Sequence, residues 1–270
     1  MMTERRIQSF NLILCFAAIA GLPFPPANAT PFEFYTTFTT EEGYRDGDLS
    51  GQAINGFDWY ATSTANAFAD VDATRGLVTT SNFFTRDAIY RRAMDQSVET
   101  VTLESEFRFG TFTPPGRNLF LNSVTLNTDP FFKDGIKVAI FHQDFNQTYG
   151  LYVSVAAEGA ASGKGAGETV GTIDKSAAGF DNTDGWQDTL RIRATIRRGT
   201  GSDDWKVTAT LTNVSDDSDL IHGTVTLDGP MTLSSGFIDA SKLYGGLEIA
   251  ANDHLAVNSE TFEFSIGATE

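Results

Sequence analysis

The chain has a single cysteine, at position 15, so no disulfide can staple the remaining residues. With no further thiol and only three scattered histidines, His142, His222 and His254, zinc chemistry has no ligand set to draw on. There is no nucleophile elbow, P-loop, dinucleotide glycine fingerprint or HExxH pair. After residue 30 no apolar run reaches the ~20 residues that a membrane-spanning helix needs, and no anchoring tail is visible. Basic residues are also few. Nineteen Lys and Arg against 35 Asp and Glu give a formal charge of −16, which opposes binding to nucleic acid or anionic lipid. The same charge suits solubility in salty surroundings or uptake of divalent cations.

What is present begins with an export signal. Arg5 and Arg6 precede the short apolar run Leu12-Ile13-Leu14-Cys15-Phe16-Ala17-Ala18-Ile19-Ala20. Pro23, Pro25 and Pro26 come next, and then the small-x-small tripeptide Ala27-Asn28-Ala29. This order predicts a signal peptide over 1–29, with cleavage after Ala29 and a secreted product, extracellular or periplasmic, starting at Thr30. Cys15 leaves with the signal. Losing Glu4, Arg5 and Arg6, a net +1, takes the charge from −16 to −17. A cysteine-free secreted chain of this size favours a bacterial source and must be held by its core alone.

Beyond residue 30 the pattern is period two, with no convincing helix. Phe32, Phe34 and Phe38 share a face, as do Val101, Leu103, Phe107 and Phe109. Ile136, Val138 and Ile140 alternate, and so do Tyr149, Leu151, Val153 and Val155. The clearest hairpin spans 189–213, with Leu190, Ile192, Ala194 and Ile196 facing inward opposite Trp205, Val207, Ala209 and Leu211. A polar turn, Arg198 to Asp204, joins its strands. Phe262, Phe264 and Ile266 read as one face of the last strand, and 110–116 and 159–171 as loops. No linker, composition shift or internal repeat divides the chain, so the expectation is one all-β antiparallel domain over 30–270.

The segment Gly43-Tyr44-Arg45-Asp46-Gly47-Asp48-Leu49-Ser50-Gly51-Gln52 with Trp59 after it is one group of features. Tyr149-Gly150-Leu151-Tyr152-Val153, Leu190-Arg191-Ile192 and Asp204-Trp205-Lys206-Val207 form another. Together they resemble the concanavalin A-like jelly rolls, the superfamily that holds laminin G-like domains, legume lectins and many glycan-active enzymes. The resemblance implies a two-sheet jelly-roll β-sandwich over nearly all of 30–270, with first and last strands adjacent. It further implies a concave face for carbohydrate and, in many members, a structural calcium ion.

Several residues offer chemistry. Glu104 and Glu106, two apart on a strand, project from one face about 6.5–7 Å apart. That spacing suits the carboxylate pair of a glycoside hydrolase. The row Thr102, Glu104, Glu106, Arg108 resembles the acid-bearing strand of the laminarinase group but has one acid too few. Glu106 could equally pair with Arg108 or a cross-strand arginine. Arg108, Arg191 and Arg193 are candidates for binding uronate or sulfate through forked hydrogen bonds. Trp186 is a candidate sugar platform, as is Trp59, whereas Trp205 falls on a core position. Asp181 and Asp184, with Asn182, form an oxygen-rich loop suited to calcium, and Asp70 with Asp72 is a second acidic pair. Three functions fit these observations: a secreted carbohydrate-binding or adhesion module, a glycan-cleaving hydrolase or lyase, and a matrix protein without a small ligand.

Overall fold

A computed structural model describes residues 32–61, 69–72, 75–79, 85–109, 116–123, 134–142, 148–156, 166–181, 185–250 and 259–270. The expected signal peptide lies outside them. The first strands in chain order are β1 (Phe32–Thr36), β2 (Gly47–Asp48), β3 (Ala53–Ile54), β4 (Phe57–Ala61) and β5 (Ala69–Asp72). Next come β6 (Gly76–Thr79), β7 (Thr85–Tyr90), β8 (Met94–Asp95), β9 (Thr100–Arg108) and β10 (Gly116–Asn122). After them stand β11 (Gly135–His142), β12 (Thr148–Val155), β13 (Gly167–Asp174), β14 (Phe180–Asp181) and β15 (Gly185–Trp186). The last are β16 (Leu190–Arg197), β17 (Trp205–Asn213), β18 (Ser218–Leu227), β19 (Lys242–Ala250) and β20 (Ser259–Thr269). One short α-helix, α1 (Ser235–Ile238), is N-capped by the Ser234 hydroxyl, which accepts from the Phe237 N–H.

Eighteen of these strands form two large antiparallel sheets, and β14 pairs with β15 in a small one. Sheet I runs β18-β17-β16-β9-β20-β6-β5-β2, with β1 also paired to β20. Sheet II runs β13-β12-β11-β10-β19-β7-β4-β3, with β8 against β19. First and last strands are therefore neighbours, Phe34 opposite Ile266. The alternation read from the sequence decides what each face does, because successive strand residues point to opposite sides. Val101, Leu103 and Phe107 of β9 and the inward residues of the 189–213 hairpin are buried. So are Leu119, Ile136, Val138, Ile140, Leu151 and Val153 of sheet II, in the same core. Each such aliphatic or aromatic side chain contributes about 1.5–3 kcal/mol.

Three expectations are corrected. Trp59 is wholly buried, so it is a core residue and presents no face to a sugar. Its ring packs 5.4 Å from Tyr90 and 5.7 Å from Phe38, and its Nε1 donates to the Tyr44 hydroxyl at 2.8 Å. Phe262 does not share a face with Phe264, because the register with β9 shifts between Thr261 and Glu263. That extra residue buries Thr261 and turns Phe262 partly outward, under the Arg108 guanidinium at 5.5 Å. The stretch read as a loop over 159–171 is already strand from Gly167, paired with β12.

The two sheets treat their outer faces differently. On sheet I the outward residues of β9 and β16 are half-buried or exposed. On sheet II every residue of β10 is buried, on both faces. Outward Phe120 joins Ile89 and Ala156 in a second apolar cluster. Asn118, Glu248 and Asp87 cross neighbouring strands beside it, all at most 5% exposed. Glu248 takes a hydrogen bond from Asn118 and an ion pair from Lys137 at 3.2 Å. This compensation is what a buried carboxylate requires.

Candidate functional site

Four neighbouring strands of sheet I, β1, β20, β9 and β16, create the site. Their outward residues fall into cross-strand rows. One row is Tyr35, Ser265, Glu104 and Arg193; the next is Glu33, Gly267, Thr102 and Thr195. In the second row β20 and β9 carry only Gly267 and Thr102, while Glu33 and Tyr35 of β1 and Arg193 of β16 are the longer side chains at the walls. The result is a groove of about 500 Å³ lined by Glu33, Tyr35, Asn55, Glu104, Arg193 and Ser265 among others. That volume falls within the ~300–1,000 Å³ typical of small-ligand sites. Three strand spacings make it about 14 Å across.

Each wall has a local cause. Glu33 and Tyr35 are the outward positions of β1, whose inward residue Phe34 stacks on Tyr90 at 3.8 Å. Tyr35 is 55% exposed, the most exposed large hydrophobic side chain among the described residues. Burial, and after it a hydrogen bond and the nearby charge of Glu263, pushes its phenol up to about 12. Asn55 stands in the two-residue Asn55-Gly56 turn between β3 and β4. Both residues have positive φ, 54° and 81°, as a tight hairpin turn requires. On the floor, a Cβ built on Gly267 would meet nothing within 4 Å, so the space above it is open.

The sequence-predicted residues fall partly here. Glu104 and Glu106 do share the outward face of β9, directly opposite Arg193 and Arg191 of β16. Arg191 stands between the two carboxylates: its Nε donates to Glu106 at 2.7 Å and lies 3.6 Å from Glu104. Arg193 reaches Glu104 at 3.7 Å. Burial works against the Arg191 charge, yet the hydrogen bond and the charges of Glu106, Glu104 and Glu263 hold its pKa above the usual value. Arg108 is drawn away from the groove to Glu260, which also receives Arg75 at 2.6 Å.

The other predicted groups lie elsewhere. Asp181 is exposed on β14, opposite Gly185, and Phe180 is opposite Trp186. Asp184 and the Trp186 side chain fall outside the described residues. Asp70 is opposite Asp48 where β5 meets β2. Among the described residues, no group of three or more His, Cys, Asp or Glu is placed to hold a metal ion.

Glu33, Tyr35, Asn55 and Ser265 were missed by the sequence reading. Their one signal was a tyrosine and a glutamate at the polar positions of the alternation Phe32-Glu33-Phe34-Tyr35.

No protein-family profile and no curated protein matches the chain. Solved structures do. Lectin UEA-II complexed with galactose superposes with a TM-score of 0.50 at 12% identity, covering 90% of this chain and all of the lectin. Lectin I-B4 from Griffonia simplicifolia, in its metal-free form, gives 0.51 at 12%, with 88% and 100% covered. The carbohydrate recognition domain of Emp46p in its potassium-bound form gives 0.50 at 10%, with 77% and 87% covered. At such identity the likeness is one of fold. With its two antiparallel sheets and adjacent terminal strands, the chain has the concanavalin A-like jelly-roll fold.

Proposed function

We propose that this protein is a secreted, non-catalytic carbohydrate-binding module that works outside the cytoplasm and takes glycan in the groove on sheet I. The observation that carries the reading is the groove itself: an exposed tyrosine on one wall, a carboxylate on each side, a guanidinium on the β16 side, and a floor left open at Gly267. Sugar hydroxyls both donate and accept, so paired carboxylate and guanidinium groups suit them, and an aromatic face suits the apolar side of a ring. The fold is shared with proteins named as lectins and as a carbohydrate recognition domain. Export rests on the leader, and intact-mass analysis of protein recovered from the medium or periplasm should find Thr30 first.

Binding is favoured over hydrolysis by the place of Arg191. A glycosidase needs its two carboxylates free to reach the scissile bond from either side. Here Arg191 is hydrogen-bonded to Glu106 and lies 3.6 Å from Glu104, so Glu106 is not free. The test is a glycan array run on the purified protein with and without chelator, and then incubation of each hit. Binding without new reducing ends is expected. New reducing ends, abolished by Glu106→Gln in a folded protein, would make it a hydrolase. An empty array would leave no carbohydrate role.

A further inference from the structure

We infer that the groove selects glycans bearing free primary amines, such as de-N-acetylated amino-sugar chains, in preference to uronates or sulfated sugars. This rests on the reading of the groove as a glycan site and names the ligand class within it. The arginines of β16, taken alone, suggest an anionic ligand. Their surroundings reverse that. Around the groove stand Glu33, Glu104, Glu106 and Glu263, against Arg191 and Arg193. Arg191 is committed to Glu106 through its Nε and Nη2, and Arg108 to Glu260. Two negative charges are left in excess.

The acids are also disposed to receive a donor. Glu33 is exposed on the β1 wall. Glu104 stands two strands away on β9, in the neighbouring cross-strand row, and its two contacts with arginine, at 3.6 and 3.7 Å, are longer than hydrogen bonds. An ammonium group has three donors and no acceptor, so each of these carboxylates, with spare lone pairs, can take one from a different sugar of an amine-bearing chain. Tyr35, on the Glu33 strand, adds a ring face of the kind that attracts cations. At longer range a chain of net charge −16 gathers polycations and repels polyanions. Asn55 and Ser265 then serve the hydroxyls that any sugar carries.

The test is isothermal titration of the purified protein with four hexameric probes: glucosamine, N-acetylglucosamine, galacturonate and glucose oligomers. The glucosamine hexamer should bind tightest, and more weakly as salt rises. Glu33→Gln and Glu104→Gln should each weaken it roughly tenfold, the effect of removing one charge-assisted contact, with circular dichroism unchanged. Equal or tighter binding of the acetylated, neutral or uronate chain would overturn the amine preference and leave the glycan reading standing. Glucosamine binding that survives the double Gln variant would also overturn it, by placing the amine elsewhere. Failure of all four probes, together with an empty array, would remove both readings.

Discussion

Tyr44 and Trp59 form a polar contact inside an apolar cluster. The Tyr44 hydroxyl accepts from Trp59 Nε1 and lies 3.1 Å from Thr36 Oγ1. Burial pushes its phenol up to about 12, against the pull of those two partners. Tyr44→Phe leaves the indole N–H without its acceptor and should cost about 1–3 kcal/mol in urea unfolding. Glu42 is a second such point. Burial raises its carboxyl, but donors from Thr36, Thr37 and Thr39 outweigh that and hold it below its ordinary value. Its folded pKa is then lower than its unfolded one, about 4.3. The stability it supplies is present above that pH and disappears as pH falls through the folded value. Between pH 5 and pH 2 the unfolding midpoint of Glu42→Gln should therefore drop less than that of the parent protein. Equal drops would mean that Glu42 is not depressed.

Among the elements, two glycines in central strands predict opposite outcomes. Gly246 of β19 is opposite Phe120 and Ile89. A Cβ there would meet the Ala88 carbonyl and the Phe120 ring at 2.4 Å each. Gly246→Ala should destabilise by roughly 1–3 kcal/mol through overpacking. Gly267→Ala has open space and no positive φ to relieve, so it should stabilise by a few tenths to about 1 kcal/mol. Thermal melts of the pair check both. The sequence makes β9, β16 and β17 legible because each alternates cleanly between core and solvent. It hides Trp59, since Phe57-Asp58-Trp59-Tyr60 is aromatic on both faces and nothing in it says which ring goes inside. Phe262 is hidden by the bulge beside Thr261, which shifts parity without any glycine or proline to announce it.

Over the whole molecule, alternation without a helical period was enough to anticipate two stacked antiparallel sheets, and the adjacency of the terminal strands came from the resemblance. Strand neighbours were not readable, and the groove depends on them. Its lining comes from residues 33–35, 55, 102, 104, 193 and 265–267, which no spacing rule connects. The acids of β9 and the arginines of β16 were visible one strand at a time. Their mutual neutralisation appears only when Glu106 meets Arg191 and Glu104 meets Arg193. That is how a row of arginines suggestive of an anionic sugar becomes part of a net acidic groove.

The central claim is that glycan occupies the space above Gly267, and filling that space tests it most directly. Gly267→Val puts a β-compatible side chain into the groove at a position where a Cβ has open space. Calorimetric titration with the best array ligand should show the variant folded, at least as stable as the parent, and at least tenfold weaker in binding. Undiminished affinity in a folded Gly267→Val protein would contradict the account and move the site off this face of sheet I.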